Sequence, residues 1–409
     1  MNTKIQKIEK YFNNEIPSLI SNCKKIVNKN SDIKAVYIVG GMIRDILSDI
    51  KPSEPDIAVA GNFNKFVNLL SEKYRGKIKF HHNFLSAQMY TNILHIDINC
   101  LRTEKYNQPG SLPKTKATLD IEQDLIRRDF TVNSIAINIS DINKFKLIDP
   151  YKGIEDIYEK KIKVLHNKSF IDDPTRIFRA INYKYKNNFE IDPETFNLMK
   201  LSSKNVRNLS KDRIKKEMRI FLDTDKVIEK IKFTKKINLF ENISKDLSVF
   251  KTNLQKTKIP NNFLEILGII LFESDKKQIV KIFDWIKLSK EEKLKLLDIH
   301  KMKKICEKLS HDKLKASEVV HLCQNISIEI LKSHYIVCKI VQSNNQILKY
   351  LDYYKNIVPD LSAKELMNLQ IKEGKIIGEL LSILRNKKID GEIKNKIEAK
   401  KFVKNFLNN

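Results

Sequence analysis

The stretch Val36 to Val59, VYIVGGMIRDILSDIKPSEPDIAV, predicts a strand, a tight turn, a helix and a second strand. Its first apolar run ends at Gly40 and Gly41, and apolar residues then recur at helical spacing. Two glycines let the backbone approach a ligand closely, and the start of the helix offers free N–H groups to a phosphate. Arg44, one turn into the helix, would add a positively charged guanidinium group with several N–H donors to that site.

Two acidic residues, Glu54 and Asp56, come directly before the second apolar run. If this segment is extended, both side chains point to the same face, so that their carboxylates converge on one point. Such a pair could hold Mg²⁺ beside a triphosphate, which is what nucleotidyl transfer needs. The alternative is a β-α-β unit with a surface carboxylate pair, and this stretch alone does not separate the two interpretations.

The pattern VGGxxRD, followed by two carboxylates one residue apart, resembles the head of the class II tRNA nucleotidyltransferase and bacterial poly(A) polymerase family, in the polymerase-β-like superfamily. The family usually has Asp where this chain has Glu54. The resemblance implies that Glu54 and Asp56 are catalytic metal ligands and that Gly40, Gly41 and Arg44 hold the triphosphate.

A further acidic residue, Asp97, lies between Ile96 and Ile98. Alone it is typical of the solvent face of an amphipathic strand, but the resemblance implies a third, supporting catalytic carboxylate.

The segment RRDFTVN begins with Arg127, Arg128 and Asp129 and matches the family's RRDFTxN motif. Two guanidinium groups and a carboxylate beside an apolar segment could bind phosphate and ribose hydroxyls, although a structural ion-pair cluster would have the same sequence. The resemblance associates the triplet with the ribose of the incoming nucleotide.

Residues 101–124 contain Gly110 between two prolines and few apolar residues, which predicts a mobile loop. The segment resembles the family pattern RxExYxxPGxLP, a flexible loop beside the active site that is thought to help the switch from adding C to adding A.

The stretch FIDDPTRIFRA predicts a helix start, with Asp173 as the N-cap and Pro174 as the first helical residue. The family motif is usually Glu-Asp-x-x-Arg, and here it is Asp-Asp-x-x-Arg. Cytosine and adenine share an amine donor beside a ring-nitrogen acceptor, so a carboxylate and a guanidinium one turn apart would fit these two bases. The resemblance implies nucleobase selection by the following residues: Asp172, Asp173, Arg176 and Arg179.

The composition indicates a polyanionic partner, because the net charge is +26 and the pI is about 9.6. Part of this basicity could be compositional bias, since the chain is also rich in Asn and Ile. The five cysteines show no CxxC pair, which predicts free thiols in a reducing compartment. No apolar run approaches the roughly 18 residues of a membrane span, so we expect a cytoplasmic protein without membrane contact. No obligate protein partner is inferred.

We predict an α+β fold, with a small mixed-sheet nucleotidyltransferase head followed by helical regions. The predicted divisions are a head (1–140), a helical neck (141–205), a helical body (206–280) and a helical tail (281–409). The tail resembles that of the family and is rich in lysine, which predicts a tRNA-binding surface. Its candidate contact residues are Arg385, Lys387, Lys388, Lys394 and Lys396.

The resemblance implies template-independent addition of CMP and AMP, from CTP and ATP, to the 3′ end of tRNA, with Mg²⁺ as the cofactor. Three alternatives remain open. An A-adding enzyme that works beside a separate CC-adding enzyme has nearly the same motifs. A poly(A) polymerase is disfavoured by the PGxLP loop, and a non-catalytic basic RNA-binding protein is suggested by Glu54.

Overall fold

The structure is a computed structural model that describes residues 2–52, 54–92, 94–141, 145–224, 226–251, 260, 262–311 and 313–407. These residues fall into two compact units. The first unit is Met1–Glu217 with Ile228–Lys245, and the second is Met218–Val227 with Asp246–Asn409. The division into head, neck, body and tail is finer than these two units and stays a prediction.

The strands are, in chain order, β1 (Ile33–Val39), β2 (Asp56–Gly61), β3 (Lys77–His81), β4 (Ser86–Tyr90), β5 (His95–Cys100), β6 (Arg102–Lys105), β7 (Lys114–Ala117), β8 (Ala136–Asn138), β9 (Lys146–Ile148), β10 (Lys161–Ile162) and β11 (Glu190–Ile191). The helices are, in chain order, α1 (Asn2–Glu15), α2 (Pro17–Lys29), α3 (Gly41–Leu47), α4 (Phe63–Tyr74), α5 (Ile121–Ile126), α6 (Gly153–Tyr158), α7 (Ser169–Asp172), α8 (Thr175–Lys186), α9 (Pro193–Ser202), α10 (Lys211–Leu222), α11 (Val227–Thr234), α12 (Leu239–Ile243), α13 (Phe263–Ile270), α14 (Lys276–Ile282), α15 (Lys290–Leu309), α16 (Ala316–Cys323), α17 (Ile328–Val337), α18 (Val341–Asp352), α19 (Ala363–Asn368), α20 (Lys375–Ile389) and α21 (Lys396–Leu407).

The main sheet of the first unit has the strand order β3-β4-β5-β2-β1-β8-β9 among the described residues. Strands β2 and β5 are parallel, whereas β1 is antiparallel to both β2 and β8. The apolar side chains of β1 and β2 are buried because both strands lie inside the sheet. The predicted α+β class with a small mixed sheet is therefore confirmed.

The N-terminal region forms two helices, α1 and α2. The break falls at Ile16, whose φ of −133° and ψ of 35° are not helical, and Pro17 then occupies the first turn of α2. Proline suits that position because its missing N–H would have no intrahelical partner there.

Residues 101–124 are more ordered than the predicted loop. Strands β6 and β7 pair as an antiparallel hairpin, with Arg102 opposite Ala117. At its far end Gly110 has a φ of +75°, and its backbone N–H lies 3.3 Å from the carbonyl oxygens of both Ile171 and Asp172. The composition predicted a loop because the strands are only four residues long and mostly polar.

The second unit is helical throughout its described part. Near its C-terminal end, α19, α20 and α21 share an apolar core that includes Leu366, Leu380, Leu384 and Val403. Within the described chain, no helix combines the length and the apolar character that a bilayer span requires.

Candidate active site

A cleft of about 310 Å³ lies in the first unit. The glycine turn, β2 and the RRD triplet contribute Gly40, Gly41, Asp56, Arg127, Arg128 and Asp129 to its lining. The predicted neck contributes Asp173, Arg176 and Arg179. Four predicted residues do not line the cleft: Arg44, Glu54, Asp97 and Asp172.

Gly40 forms the turn between β1 and α3 with a φ of +74°, a conformation that favours glycine. A Cβ atom at this position would lie 3.1 Å from Nη1 of Arg128 and 3.6 Å from Oδ2 of Asp56. The turn therefore leaves room for a cation and an anion to approach the backbone together. Because α3 has only seven residues, we assign the anion site to the side chains rather than to the helix dipole.

The three predicted carboxylates lie at neighbouring strand ends but in different surroundings. Asp56 and Asp97 are register partners in the parallel pair of β2 and β5, and Asn99 Nδ2 donates to Asp56 Oδ1 at 2.9 Å. Burial raises the pKa of Asp56, and Arg128 opposes that shift. The Asp97 side chain is half exposed and accepts from Gln88 Nε2 at 3.0 Å.

Glu54 precedes β2 and is not among the residues that line the cleft, and its convergence with Asp56 stays a prediction. Its exposed carboxylate pairs with Nδ1 of His95, whose Nε2 lies 3.8 Å from Asp97 Oδ1. The three carboxylates are thus neighbours, with His95 between Glu54 and Asp97. The extra methylene of glutamate gives Glu54 the reach to contact the imidazole.

Arg44 is buried beneath the cleft with its nitrogens already bonded. Nη1 donates to Asn133 Oδ1 at 2.6 Å, and Nη2 donates to Asp45 Oδ1 at 2.6 Å. The guanidinium also lies 4.8 Å from the centre of the Tyr183 ring. This geometry favours a role for Arg44 in positioning Asn133, and its direct contact with a triphosphate stays a prediction.

Arg127 and Arg128 converge on one buried carboxylate, Asp124. Nη2 of Arg127 lies 2.7 Å from Asp124 Oδ1, and Nη2 of Arg128 lies 3.0 Å from Oδ2. Burial would raise the pKa of Asp124, but Arg128 and Arg127 outweigh it and hold the pKa below its usual range. Nε of Arg128 is buried without a hydrogen-bond partner among the described residues, so this arginine keeps a donor for a ligand.

Asp129 is held by three donors. Its Oδ1 accepts from the backbone N–H of Phe130 at 2.9 Å and from Asn133 Nδ2 at 3.0 Å. Its Oδ2 accepts from Arg179 Nε at 2.7 Å. Although burial raises the pKa, Arg179 and Asn133 bring the pKa of Asp129 down to about 2. The predicted ribose-binding carboxylate is therefore linked to a predicted base-selecting arginine.

Asp173 follows α7, and α8 begins at Thr175, one residue later than predicted, with Pro174 at the N-cap. Oδ1 of Asp173 accepts from the Thr175 backbone N–H at 3.0 Å, from Thr175 Oγ1 at 2.7 Å and from Arg213 Nη2 at 2.6 Å. Arg176 is buried and donates from Nη1 to Ser169 Oγ and from Nη2 to the Arg127 carbonyl, both at 2.6 Å. Both side chains are therefore fixed in the cleft.

Sequence reasoning missed six lining residues: Glu104, Tyr106, Asn133, Thr175, Tyr183 and Glu217. Glu104 accepts from Arg127 Nη1 at 3.0 Å and from the Tyr106 hydroxyl at 2.8 Å. The alternation of Arg102, Glu104 and Tyr106 is the spacing of one face of a strand, and this signal could have revealed them. Asn133 is the final residue of the RRDFTVN motif.

The basic residues predicted to bind tRNA lie in the second unit, and most of them have intramolecular partners. Arg385 Nε donates to the Ile357 carbonyl at 2.9 Å, and Lys388 pairs with Asp360 at 2.6 Å. Lys387 pairs with Glu392, and Lys396 pairs with Glu365. Lys394 is exposed, and its ammonium has no ion-pair partner among the described residues.

The oxygen donors around β2 fit a hard divalent cation. Asp56, Asp97 and Glu54 supply carboxylates from neighbouring strand ends, and oxygen is the ligand that Mg²⁺ prefers. The side chains of Asp97 and Glu54 are also exposed to solvent, so that either carboxylate could rotate towards a metal ion at a small cost in free energy.

Arginines beside the strand-end carboxylate of Asp56 in one cleft suit a nucleotidyltransferase, because such groups could hold a triphosphate and a divalent metal ion. The comparisons support this class. Residues 36–163 match the family model of the poly A polymerase head domain. The chain is 25% identical over 390 residues to the A-adding tRNA nucleotidyltransferase of Halalkalibacterium halodurans, covering 91% of this chain and 89% of that protein. It spans only 43% and 27% of two longer A-adding relatives, from Geobacter sulfurreducens and Aquifex aeolicus.

The fold also matches solved structures over nearly the whole chain. A CCA-adding enzyme in an apo form has a TM-score of 0.76 at 26% identity, with 97% of each chain covered. The Thermotoga maritima CCA-adding enzyme complexed with tRNA has a TM-score of 0.73 at 26% identity, with 96% of each covered. The chain is therefore similar to the poly A polymerase head domain over residues 36–163 and to CCA-adding enzymes over nearly its whole length.

Proposed function

We propose that this enzyme adds CMP and AMP, taken from CTP and ATP, to the 3′ end of tRNA without a nucleic-acid template. One observation carries the proposal. The same cleft is lined both by side chains that suit a phosphate and by side chains that suit a nucleobase. Arg128 lies beside Gly40 and Asp56, and Asp173 and Arg176 line the same cleft.

Arg128 is the side chain that we assign to the triphosphate. Its Nε is a buried donor without a described partner, and such a donor costs about 1–3 kcal/mol until it is bonded. A phosphate oxygen would satisfy that donor and offset the charge of the guanidinium. Gly40 matters here because any larger residue would press on Nη1 of Arg128.

In the reaction, the 3′-hydroxyl of tRNA attacks the α-phosphorus, a new O–P bond forms, and pyrophosphate leaves with the electrons of the broken bond. We propose that Asp56, Glu54 and Asp97 hold Mg²⁺, which when bound supplies charge neutralisation and activation of the attacking hydroxyl. Asn99 orients Asp56 by donating to Oδ1. Arg127 and Arg128, fixed on Asp124, place positive charge beside the reacting phosphates.

We assign base selection to Asp173 and Arg176. Three donors fix Asp173 through Oδ1, so Oδ2 stays available as an acceptor within the described structure. Arg176 uses one N–H on each terminal nitrogen, and a guanidinium has five, so donors remain. An acceptor and a donor held in fixed positions match the amine and ring nitrogen of cytosine and adenine, and mismatch uracil and guanine.

Addition of A alone is the second candidate, because the H. halodurans relative is an A-adding enzyme that aligns with 91% of this chain. The test uses tRNA that ends before, within or after the CC step, with CTP and ATP supplied separately. Incorporation of C followed by A supports the full activity. Incorporation of A on CC-ended tRNA without any C would replace it with the A-adding function, and tRNA binding without incorporation would overturn both.

A further inference from the structure

Two cysteines and a histidine of the second unit form a compact cluster outside the nucleotide cleft. Cys306 belongs to α15, His334 belongs to α17, and Cys338 directly follows α17. One ligand atom from each residue lies within 4.8 Å of the ligand atoms of the other two. In sequence, His334 and Cys338 are four residues apart, a helical spacing that places both on one face.

The surroundings of His334 suit a metal ligand. The residue is wholly buried, and its Nδ1 has no hydrogen-bond partner among the described residues. Its Nε2 has only the Ser343 hydroxyl, at a long distance of 3.4 Å. A buried ring nitrogen without a partner is costly, and a metal ion would remove that cost.

The separation of the two sulfurs points to the same chemistry. Cys306 Sγ and Cys338 Sγ are 3.8 Å apart, far longer than a disulfide bond. Two thiolates bound tetrahedrally to zinc at about 2.3 Å would lie about 3.8 Å apart. Ser343 Oγ, from α18, is 3.8 Å from Cys306 Sγ and adds an oxygen at the edge of the cluster.

We propose that Cys306, His334 and Cys338 bind a Zn²⁺ ion in the second unit, with the Ser343 hydroxyl or a water molecule as the fourth ligand. Thiolate and imidazole select zinc, whereas the carboxylates of the nucleotide cleft suit magnesium. The two metals therefore have different sites. A zinc ion here would tie α15, α17 and α18 together, and its binding energy would add to the folding stability of this unit.

Cobalt(II) is the probe for the site, because it substitutes for zinc and absorbs strongly when thiolates coordinate it. The full-length chain is stripped with a chelator and titrated with Co²⁺. We expect about one equivalent to produce thiolate-to-cobalt absorption, and Zn²⁺ to displace it. Cys306→Ser and Cys338→Ser should lose the absorption. The matched control is Cys323→Ala, a cysteine of the same unit outside the cluster, which should keep it.

A second measurement guards against variants that fail to fold. Cys306 is only partly buried, and serine is nearly isosteric with it, so Cys306→Ser should retain the far-UV circular dichroism of the parent. Zn²⁺ should raise the thermal midpoint of the parent chain but not that of Cys306→Ser. Absorption of equal strength in Cys306→Ser, no thiolate absorption in the parent, or a Cys306–Cys338 disulfide in freshly purified reduced-buffer protein would overturn the proposal.

Discussion

Arg213 and Asp173 form an ion pair in which Nη2 lies 2.6 Å from Oδ1, and Nη1 of the same arginine donates to the Gly110 carbonyl at 3.0 Å. One side chain therefore holds both the proposed base-selecting carboxylate and the end of the β6-β7 hairpin. Neither contact is visible in the sequence, because Arg213 is 40 residues from Asp173 and 103 residues from Gly110.

Replacing Arg213 should impair base choice more than triphosphate binding. In Arg213→Gln, Asp173 loses a charged donor and the hairpin end loses an anchor. We expect discrimination against UTP to fall roughly tenfold to a hundredfold, the equivalent of about 1–3 kcal/mol. The measurement is kcat/KM for each of the four nucleotides. Arg207→Gln is the control, since among the described residues Arg207 Nε donates only to the nearby Lys204 carbonyl. An equal loss with all four nucleotides would contradict a role in selection.

Gly40→Ala should weaken nucleotide use through two effects. Alanine is strained at a φ of +74°, and its Cβ would press on Arg128 at 3.1 Å. Strain of this kind costs about 1–3 kcal/mol, so we expect transfer to fall about tenfold or more. Gly378→Ala is the matched control. Gly378 lies inside α20, and a Cβ atom added there would meet no other described atom within 4 Å outside its own helix backbone. Alanine at this position should therefore stabilise the helix by about 0.5–1 kcal/mol without changing transfer.

Asp56→Ala should abolish transfer while tRNA affinity stays nearly unchanged, because Asp56 is the one of the three proposed metal-binding carboxylates that lines the cleft in the described structure. Glu54→Asp should keep or improve activity, since it restores the residue usual in the family. The exposed Asp32, which pairs with Lys65, provides the control variant Asp32→Ala. If Asp56→Ala kept a turnover close to that of the parent, a catalytic role for the Asp56 carboxylate would be excluded.

The surface lysines of α21 should contribute more to tRNA binding than the paired lysines do. Lys400, Lys401 and Lys404 are exposed and have no ion-pair partner in the described part of the chain. Their combined replacement by glutamine should weaken binding and reduce the slope of log affinity against log salt by about 2–3. Lys388→Gln, which removes an already paired charge, should change the slope less. An unchanged slope in the triple variant would place the contact elsewhere.

Because the carboxylate of Asp129 is stabilised in the folded chain, we expect the free energy of unfolding to depend on pH. The pKa of Asp129 in the folded chain is about 2, below its ordinary value of 3.8, so its contribution is complete above about pH 4 and is lost as the pH falls towards 2. The shift is worth about 2 kcal/mol. We expect Asp129→Asn to lower the free energy of unfolding near pH 7 by about that amount, and the difference should shrink towards pH 2. Denaturant unfolding at a series of pH values measures it, and a difference that is constant with pH would contradict the ion pair with Arg179.

The sequence pattern was sufficient to predict those features that depend only on residues close together in the chain. The glycine turn, the strands on either side of it and the RRD triplet follow from spacing within about ten residues, and the structure places most of them in one cleft. The hairpin at residues 102–117 was missed because its pairing depends on two short polar strands meeting. Lys388 was predicted to contact tRNA, and its ion pair with Asp360, 28 residues away, could not be seen from the local sequence.

Glu54 shows a different limit of sequence reasoning. Alternation along an extended strand predicted that residues 54 and 56 share a face. The strand begins only at Asp56, so the rule does not cover Glu54, whose carboxylate pairs with His95. The cysteine cluster is a further case, because Cys306 and Cys338 are 32 residues apart and meet only through helix packing.

The parallel pairing of β2 and β5 fixes the positions of Asp56 and Asp97 through backbone hydrogen bonds. The chain between them passes through α4 to β3, the strand at the outer edge of the sheet, and turns back through β4. Insertions or deletions in the turn at Arg75 and Gly76 would therefore fall on the rim and leave the carboxylates in place. Descendants of this chain can vary in length there without losing the geometry of the acidic pair.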